Sequence, residues 1–380
     1  MNDGTDATLE LATLLRPAGG GVYLVSTGKD EQLAFQRRLY GVSTDAEVGT
    51  KWRASLEAIR NAKAILLAVP SDVGAGFLRG ANMGPSGIRA ALEASVPDWP
   101  RWMADRGVVD VGDVFVVPQL LHDSMLSEAQ KEASRRAIYP DAPAPLRDRF
   151  PVSPLSIAER ALDLVFALNP DVVPLVLGGD HSCAWPVSAA LSRARVRAGT
   201  KPWGIVQIDA HTDLLEERLG VRYCFGTWSF HANDLLGRGG KMVQVGIRAT
   251  RRDRSHWEST LGVVQHWAKD CNERPEATIA SIVDHFRALG VGGVYFSNDI
   301  DGTDEAFADA TGTPEPGGLS PDFVVALIRA LGREIGLVAG DVMEVAPPVK
   351  RTPHGDTATC ALAARYVRET IEASLGGPRG

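Results

Sequence analysis

Short apolar runs alternate along the chain with longer segments in which apolar residues recur at helical spacing. Continuous apolar runs that end in Gly, Pro or Asp are typical of strands buried on both faces. Strands are predicted at residues 64–70, 108–111, 172–177, 205–208, 242–247, 293–296 and 334–339. Helices are predicted between and after them, at residues 86–94, 127–137, 157–168, 185–198, 276–289, 321–331 and 357–375. This alternation predicts repeated βαβ units, and so an α/β fold in which helices cover both faces of a mostly parallel sheet, a three-layer α/β/α sandwich.

The first 50 residues lack this pattern of strands. Helices are predicted at residues 9–15 and 31–40, with Pro17 and the glycines at 19–21 breaking the chain between them. We interpret residues 1–50 as an N-terminal extension, either an arm that packs on a neighbouring subunit or a partly disordered tail. Residues 51–380 are predicted to form a single large domain.

Composition and charge narrow the classes of protein. The 380 residues are 44% hydrophobic and 23% charged, which is typical of a soluble globular protein. The formal net charge of −7 argues against nucleic acid or an anionic membrane as a partner. No apolar run reaches the length of a transmembrane helix, and the acidic N-terminus lacks the order of a signal peptide. Four unpatterned cysteines fit reduced thiols, so a cytoplasmic location is predicted.

Residues of the kinds that bind metals follow three of the predicted strands. They are, in chain order, Asp180 and His181, then Asp209, His211 and Asp213, then Asp299 and Asp301. Because the carboxyl ends of parallel strands meet at one edge of a sheet, these side chains are predicted to converge. The candidate metal ligands are His181, Asp209, His211, Asp213, Asp299 and Asp301.

Carboxylates mixed with imidazoles suit a first-row divalent ion. Four carboxylates and two neutral imidazoles carry a formal charge of about −4, which two divalent ions would neutralise. Two such ions can lower the pKa of a shared water towards neutrality, so metal-assisted hydrolysis is predicted. Taken singly, each Asp could instead be a turn residue or helix cap, and His181 a buried, hydrogen-bonded histidine. One structural ion is a further alternative, although structural zinc sites favour cysteine.

Three motifs resemble the signatures of the ureohydrolase family, which includes arginase, agmatinase, formiminoglutamase and guanidine hydrolase. They are the segments at residues 178–182, 209–213 and 297–304. The segments at 84–89, 311–319 and 341–345 are similar to further family motifs, and the likeness extends over roughly residues 64–375. The resemblance implies an arginase-like fold, assembled as trimers or hexamers, with residues 51–380 as the catalytic domain.

The resemblance also implies a role for each candidate ligand. His181, Asp209, Asp213 and Asp299 would hold one ion, and Asp209, His211, Asp299 and Asp301 the other, with Asp209 and Asp299 as bridges. A hydroxide that bridges the metals would attack the guanidinium carbon of the substrate, and Glu344 would pair with the substrate nitrogens. The ions would be Mn²⁺ or Ni²⁺, which these ligand types fit equally well.

The segment after the second signature departs from the family pattern. Phe225 stands where arginases and agmatinases carry a histidine thought to shuttle protons, so Asp304 is the predicted proton donor and His231 a weaker candidate. Leucines and acids follow Asp213, in place of the Asn- and Ser-rich segment with which arginase holds a carboxylate. Phe225 and Trp228 indicate a small apolar pocket in which a cation lies against an aromatic face, unless both rings are core residues.

The aromatic segment around Phe225, the N-terminal extension and residues 151–156 are most similar to the guanidine hydrolase branch, whose relatives include hydrolases of metformin. That branch, by resemblance, uses nickel. The leading substrate is guanidine, cleaved to urea and ammonia. Alternatives are an N-alkylated guanidine or biguanide such as metformin, cleaved to guanylurea and dimethylamine by a homo- or heteromeric enzyme, and agmatine. A non-enzymatic alternative is an inactive subunit that assembles with an active paralogue.

Overall fold

A computed structural model of the chain describes residues 6–377. Its strands are β1 (Leu15–Arg16), β2 (Ala64–Val69), β3 (Val108–Val114), β4 (Val173–Gly178), β5 (Gly204–Ile208), β6 (Met242–Ile247), β7 (Val264–Trp267), β8 (Val294–Asn298) and β9 (Leu337–Val342). Its helices are α1 (Ala7–Leu14), α2 (Lys29–Tyr40), α3 (Asp45–Ala58), α4 (Gly84–Ser95), α5 (Trp99–Arg106), α6 (Glu128–Ile138), α7 (Ala144–Arg147), α8 (Pro154–Leu168), α9 (Ala184–Ala198), α10 (Trp228–Leu235), α11 (Arg254–Leu261), α12 (Ala268–Glu273), α13 (Pro275–Leu289), α14 (Pro321–Glu334) and α15 (Gly355–Gly376). No helix within the described range is both long and apolar enough to cross a membrane.

The strands form one sheet in the order β1-β3-β2-β4-β9-β8-β5-β6-β7. Neighbouring strands are parallel except for β1 and β3. Alternate side chains of β2 enter different apolar cores, with Ile65 and Leu67 packed alongside residues of α8 and α9. Leu66 and Ala68 face the opposite core, which contains residues of α4, α14 and α15. The predicted three-layer arrangement around a mostly parallel sheet, in a single large domain, is therefore confirmed.

The first described helix and strand belong to this fold. Leu11 and Leu14 of α1 are fully buried, and α1 packs against α3 and α8. β1 pairs with β3, with Leu15 opposite Val114, and forms one edge of the sheet. Residues 7–16 are thus not the predicted arm or tail, because their apolar side chains are buried within this chain. The division at residue 50 stays a prediction, and residues 1–5 lie outside the described range.

Each predicted strand and helix corresponds to an observed one, but several elements have no clear signal in the sequence. The strand predicted at 334–339 begins later, at Leu337, because α14 continues to Glu334. β7 and α10 are missed because polar side chains interrupt their apolar pattern. Both missed elements matter below, since each contributes side chains that support the candidate site.

Candidate metal centre

The order of the strands brings the predicted ligands together. β4, β9, β8 and β5 are neighbours in the sheet, and after three of them an aspartate oxygen accepts the backbone N–H two residues further on. These bonds are Ser182 N–H to Asp180, His211 N–H to Asp209 and Asp301 N–H to Asp299, at 2.6–2.9 Å. Such bonds hold the turns that direct side chains across the strand ends. Asp209 and Asp299 therefore stabilise a turn with one oxygen and leave the other oxygen facing the centre.

A first ligand group surrounds the Nδ1 atom of His181. This atom lies 3.2 Å from Asp209 Oδ2, 3.3 Å from Asp213 Oδ2 and 3.1 Å from Asp299 Oδ2. The four side chains are buried, and His181 Nδ1 makes no hydrogen bond within the described part of the chain. A buried ring nitrogen and three carboxylate oxygens that face one point fit a divalent cation better than a hydrogen bond.

A second ligand group, formed by His211 and Asp301, lies beside the first. His211 Nδ1 is 3.1 Å from Asp301 Oδ2 and 3.6 Å from Asp209 Oδ1. The two oxygens of Asp209 thus face different histidines, as expected of a carboxylate that two ions share. Asp299 Oδ2 faces His181, while its Oδ1 accepts the N–H of Asp301. The structure thus offers geometric support for bridging by Asp209, and bridging by Asp299 stays a prediction.

Outer hydrogen bonds fix the orientation of the His181 ring. Its Nε2 lies 3.1 Å from Ser297 Oγ, which in turn lies 2.9 Å from Asp341 Oδ2. An ionised carboxylate only accepts hydrogen bonds, so Ser297 donates to Asp341 and accepts from His181 Nε2–H. The lone pair of His181 Nδ1 then points at the first ligand group, which is the orientation that a metal ligand needs.

The charges of the centre shift the pKa values of its members. Burial raises the pKa of Asp213 to about 6, and the charge of Asp209 adds to this effect. Burial and the charge of Asp301 raise the pKa of Asp299 well above its usual range. Burial alone would lower the pKa of His181, but the close approach of the surrounding carboxylates raises it well above its usual value. The centre therefore favours positive charge at its middle, and a divalent ion would supply that charge.

Glu344 lies at the edge of the first ligand group. It follows β9 with a left-handed backbone, φ 62°, which is a strained conformation for a residue with a Cβ. Its Oε1 accepts a 2.9 Å hydrogen bond from the backbone N–H of His181, and its own N–H donates to the Gly179 carbonyl. Burial raises the pKa of Glu344 well above its usual range, and the charge of Asp180 adds to the shift. The backbone thus holds this carboxylate beside the predicted metal site, where the family resemblance places it.

The two predicted proton donors have other partners. The oxygens of Asp304 accept the backbone N–H groups of Ala306 and Gly318, at 3.0 and 2.8 Å. His231 Nε2 lies 2.9 and 3.1 Å from two carbonyl oxygens of the loop at residues 216–222. Both side chains therefore hold loops in place. This geometry favours structural roles for Asp304 and His231, and their roles as proton donors stay predictions.

The two aromatic rings predicted to line the pocket differ in position. Trp228 is fully buried, with its ring 4.6 Å from that of His181 and its Nε1 donating a 3.1 Å hydrogen bond to Asp213 Oδ2. Trp228 therefore packs against the candidate ligands and does not line a pocket. The sequence contains no signal for its hydrogen bond to Asp213. Phe225 is half-buried, and the guanidinium of Arg218 lies 4.7 Å from its ring centroid. The chain's own cation thus occupies an aromatic face that was predicted for the substrate.

The fold and the centre together define a class, an α/β protein with a carboxylate-rich site for divalent metals at its strand ends. The sequence matches the Arginase family over residues 62–372. It is 30% identical to guanidinobutyrase of Pseudomonas aeruginosa over 331 residues, which are 84% of this chain and 87% of that protein. It is 32% identical to the mitochondrial agmatinase of Gallus gallus, over 75% of this chain and 74% of that protein. The solved structure of proclavaminate amidino hydrolase from Streptomyces clavuligerus is similar, with a TM-score of 0.64 and 27% identity over 83% of this chain and 92% of that one.

The chain belongs to the arginase family. It is therefore a ureohydrolase, a hydrolase that acts on the C–N bonds of guanidino compounds. The cluster of histidines and aspartates fits the metal site of such an enzyme. This result confirms the family that the three sequence motifs indicate, while the branch within the family is a separate question.

Proposed function

We propose that this protein hydrolyses guanidine to urea and ammonia. It would use two divalent ions, Mn²⁺ or Ni²⁺, held by His181, Asp209, His211, Asp213, Asp299 and Asp301. The observation that carries the proposal is the carboxylate of Glu344, which is 9% exposed beside the predicted metal site and whose Oε1 accepts the backbone N–H of His181. Because a buried carboxylate is costly unless it is paired, a planar cation with N–H groups is a suitable partner for it.

The surroundings of Glu344 support a small substrate. A Cβ added to Gly312 would lie 4.0 Å from Glu344 Oε2 and 3.3 Å from the Leu78 carbonyl oxygen. A Cβ added to Gly76 would lie 3.5 Å from the ring of Phe225. The backbone of Gly312 thus lies close to Glu344 and Leu78, and the backbone of Gly76 lies close to Phe225, which favours a small substrate over one with a long substituent.

The chain's own residues would bind and orient the substrate. When bound, the two ions would lower the pKa of a water between them and so supply a nucleophile near neutral pH. Asp209 would hold the spacing of the ligand groups, and Glu344 would orient the guanidinium through charged hydrogen bonds. Phe225 has no proton to transfer, so the leaving ammonia would take its proton from another group, for which Asp304 and His231 are the predicted candidates.

Resemblance to the guanidine hydrolase branch supports guanidine as the leading substrate. An N-alkylated guanidine or a biguanide such as metformin is the next candidate, and agmatine follows. The proposed assembly is a trimer or hexamer in the cytoplasm, either homo- or heteromeric. The presence of all six ligand residues argues against an inactive subunit.

A guanidino acid is a second candidate substrate because of Arg218. This side chain is exposed and lies over the ring of Phe225. Phe225 is the residue that stands where the family histidine is expected. Its guanidinium would hold the carboxylate of a bound guanidino acid. The 30% identity to a guanidinobutyrase also supports this candidate.

The test is to measure the rate at which purified protein, supplied with Ni²⁺ or Mn²⁺, hydrolyses each candidate substrate. The substrates are guanidine, metformin, agmatine, arginine and 4-guanidinobutyrate. We expect the highest kcat/KM with guanidine. Glu344→Gln should lower that value by about tenfold to a hundredfold, because one charged hydrogen bond contributes roughly 1.5–3 kcal/mol. Glu132→Gln, at an exposed ion pair on α6, is the matched control and should change nothing.

Three other results would contradict guanidine hydrolysis or the role of Glu344. Activity with 4-guanidinobutyrate alone, lost in Arg218→Met, would establish the second candidate. Rapid release of urea from arginine would contradict the argument from the small site. Full activity of Glu344→Gln on guanidine would show that this carboxylate does not bind the substrate.

A further inference from the structure

A row of buried glutamines crosses the sheet and ends at Asp209. Gln207 of β5, Gln244 of β6 and Gln265 of β7 are in register on adjacent strands and at most 2% exposed. Gln265 Nε2 donates to Gln244 Oε1 at 2.8 Å, and Gln244 Nε2 donates to Gln207 Oε1 at 2.7 Å. Gln207 Nε2 donates to Asp209 Oδ2 at 2.7 Å. At the other end, Trp267 Nε1 donates to Gln265 Oε1 at 3.0 Å.

The two ends of the row determine the direction of every hydrogen bond in it. An ionised carboxylate only accepts hydrogen bonds, so Gln207 must present its NH₂ group to Asp209. An indole N–H only donates, so Gln265 must present its carbonyl oxygen to Trp267. Each amide between these ends is then oriented the same way, with N–H groups directed towards Asp209. Aligned amides polarise one another, which strengthens the last donor of the row.

The row also holds the backbone that carries the ligands. Gln244 Nε2 donates at 2.6 Å to the carbonyl of Thr212, which lies between His211 and Asp213. Ser229 Oγ of α10 donates at 2.5 Å to Gln207 Oε1. The row thus touches the second signature at two points, the carboxylate of Asp209 and the turn that follows it.

Burying this many amides in a sheet has a cost that apolar side chains would avoid. A polar group removed from water without a full set of partners costs roughly 1–3 kcal/mol in proteins. The strand residues on either side of Gln207, Gln244 and Gln265 are mostly apolar. The row's contact with Asp209 suggests a role in the site, because Asp209 must keep one oxygen towards each ligand group.

We propose that Gln207, Gln244, Gln265 and Trp267 act as one positioning unit that fixes Asp209 for the binding of two divalent ions. This inference rests on the proposed metal centre. A firm donor at Oδ2 restricts rotation of the carboxylate and so keeps Oδ1 facing His211. Hydrogen bonds to metal ligands of this kind typically change metal affinity by about 10–100-fold when they are removed.

The experiment measures metal affinity in the full chain, without relying on turnover. Metal-free protein is titrated with Mn²⁺ or Ni²⁺ against a chelating dye, and the thermal midpoint of each metal-free variant is recorded. Gln207→Met keeps the size of the side chain and removes the donor to Asp209, so its Kd should rise by about 10–100-fold. Gln265→Met and Trp267→Phe touch no ligand and should raise Kd by roughly two- to fivefold through the weakened row.

A glutamine outside the row is the matched control. Gln36 of α2 is also buried and donates to the Pro17 carbonyl at 3.1 Å. Gln36→Met should leave the metal Kd unchanged even where it lowers the thermal midpoint. A graded loss of affinity along the row, absent from this control, distinguishes positioning of a ligand from general destabilisation.

The results separate this inference from the proposed function. Wild-type protein that binds fewer than two ions would overturn the two-ion centre itself. Wild-type binding of two ions, with an unchanged Kd in Gln207→Met, would overturn the role of the row alone. If Gln207→Met fails to fold, unchanged Kd values in both Gln265→Met and Trp267→Phe would overturn it equally.

Discussion

Asp209 occupies the point where the two ligand groups meet. Its Oδ2 faces His181 and accepts the amide of Gln207, while its Oδ1 faces His211 and accepts that residue's backbone N–H at 2.6 Å. Each oxygen of Asp209 therefore accepts one hydrogen bond and also faces one histidine of the candidate metal centre. A single carboxylate fixed in this way can serve two cations at once.

Asp209→Asn should remove the shared charge at this point. We expect fewer than two ions per chain by metal analysis and a loss of turnover of about a thousandfold or more, because several kcal/mol of stabilisation depend on the bound metals. Asp105→Asn, at an exposed ion pair on α5, is the control and should keep both ions. Two tightly bound ions in Asp209→Asn would remove the basis for a bridging role.

Trp228→Phe tests the hydrogen bond that the sequence does not indicate. The ring still packs on His181, but the 3.1 Å bond from Nε1 to Asp213 Oδ2 is lost. Metal affinity should fall by about tenfold, within the range for hydrogen bonds to ligands. Trp257→Phe is the control, since it loses a comparable indole bond to Thr250 away from the site. Equal affinities in the two variants would assign Trp228 to packing alone.

The residues of the site differ in how far the sequence predicts them. Asp209, His211 and Asp213 are recognisable because ligands that share a strand end keep a fixed spacing along the chain. Trp228 and Ser297 acquire their roles only through tertiary contacts, since an indole or hydroxyl that meets a ligand has no local pattern. The sequence therefore predicts the candidate ligands but not the groups that orient them.

At the scale of elements, α4 is anchored to the sheet by a buried arginine. Arg89 is 1% exposed, pairs with Asp110 through two 2.9 Å bonds and also bonds Asp113, both on β3. Arg89→Met should destabilise the fold by about 3–5 kcal/mol, because it leaves buried carboxylates unpaired. The midpoint of urea unfolding is the measurement.

An exposed arginine offers a comparison with the same pairing geometry. Arg38 bonds both oxygens of Glu93, but its side chain is 56% exposed. Arg38→Met should cost less than about 1 kcal/mol, since solvent screens such pairs. Similar losses of stability in Arg38→Met and Arg89→Met would mean that burial does not determine how much the arginine on α4 stabilises the fold.

The hydrophobic pattern predicts some strands better than others. Strands such as β2 and β6 are predictable because every residue in them is buried and most are apolar. β7 contains Gln265 and His266 and is short, so its pattern does not indicate a strand. Its polar residues make sense only beside Gln244 on the neighbouring strand, a partner that lies about twenty residues away in sequence.

At the scale of the whole molecule, the order of the strands creates the site. β4, β9, β8 and β5 are adjacent although they come from distant parts of the chain. Alternation of strands and helices predicts a parallel sheet, but it does not predict which strands are neighbours. The sequence therefore predicts that the three motifs lie at one edge of the sheet, and the strand order shows which of their strands are neighbours.

Because the ligands come from several strand ends, bound metal should stabilise the whole fold. Ions at a thousandfold excess over Kd contribute about 4 kcal/mol per site, so removal by a chelator should lower the thermal midpoint by several degrees. Mn²⁺ or Ni²⁺ should restore the midpoint in proportion to the logarithm of its concentration. Asp209→Asn should show a much smaller shift under the same conditions. An unchanged midpoint in wild-type protein whose metal loss has been verified would separate metal binding from the stability of this fold.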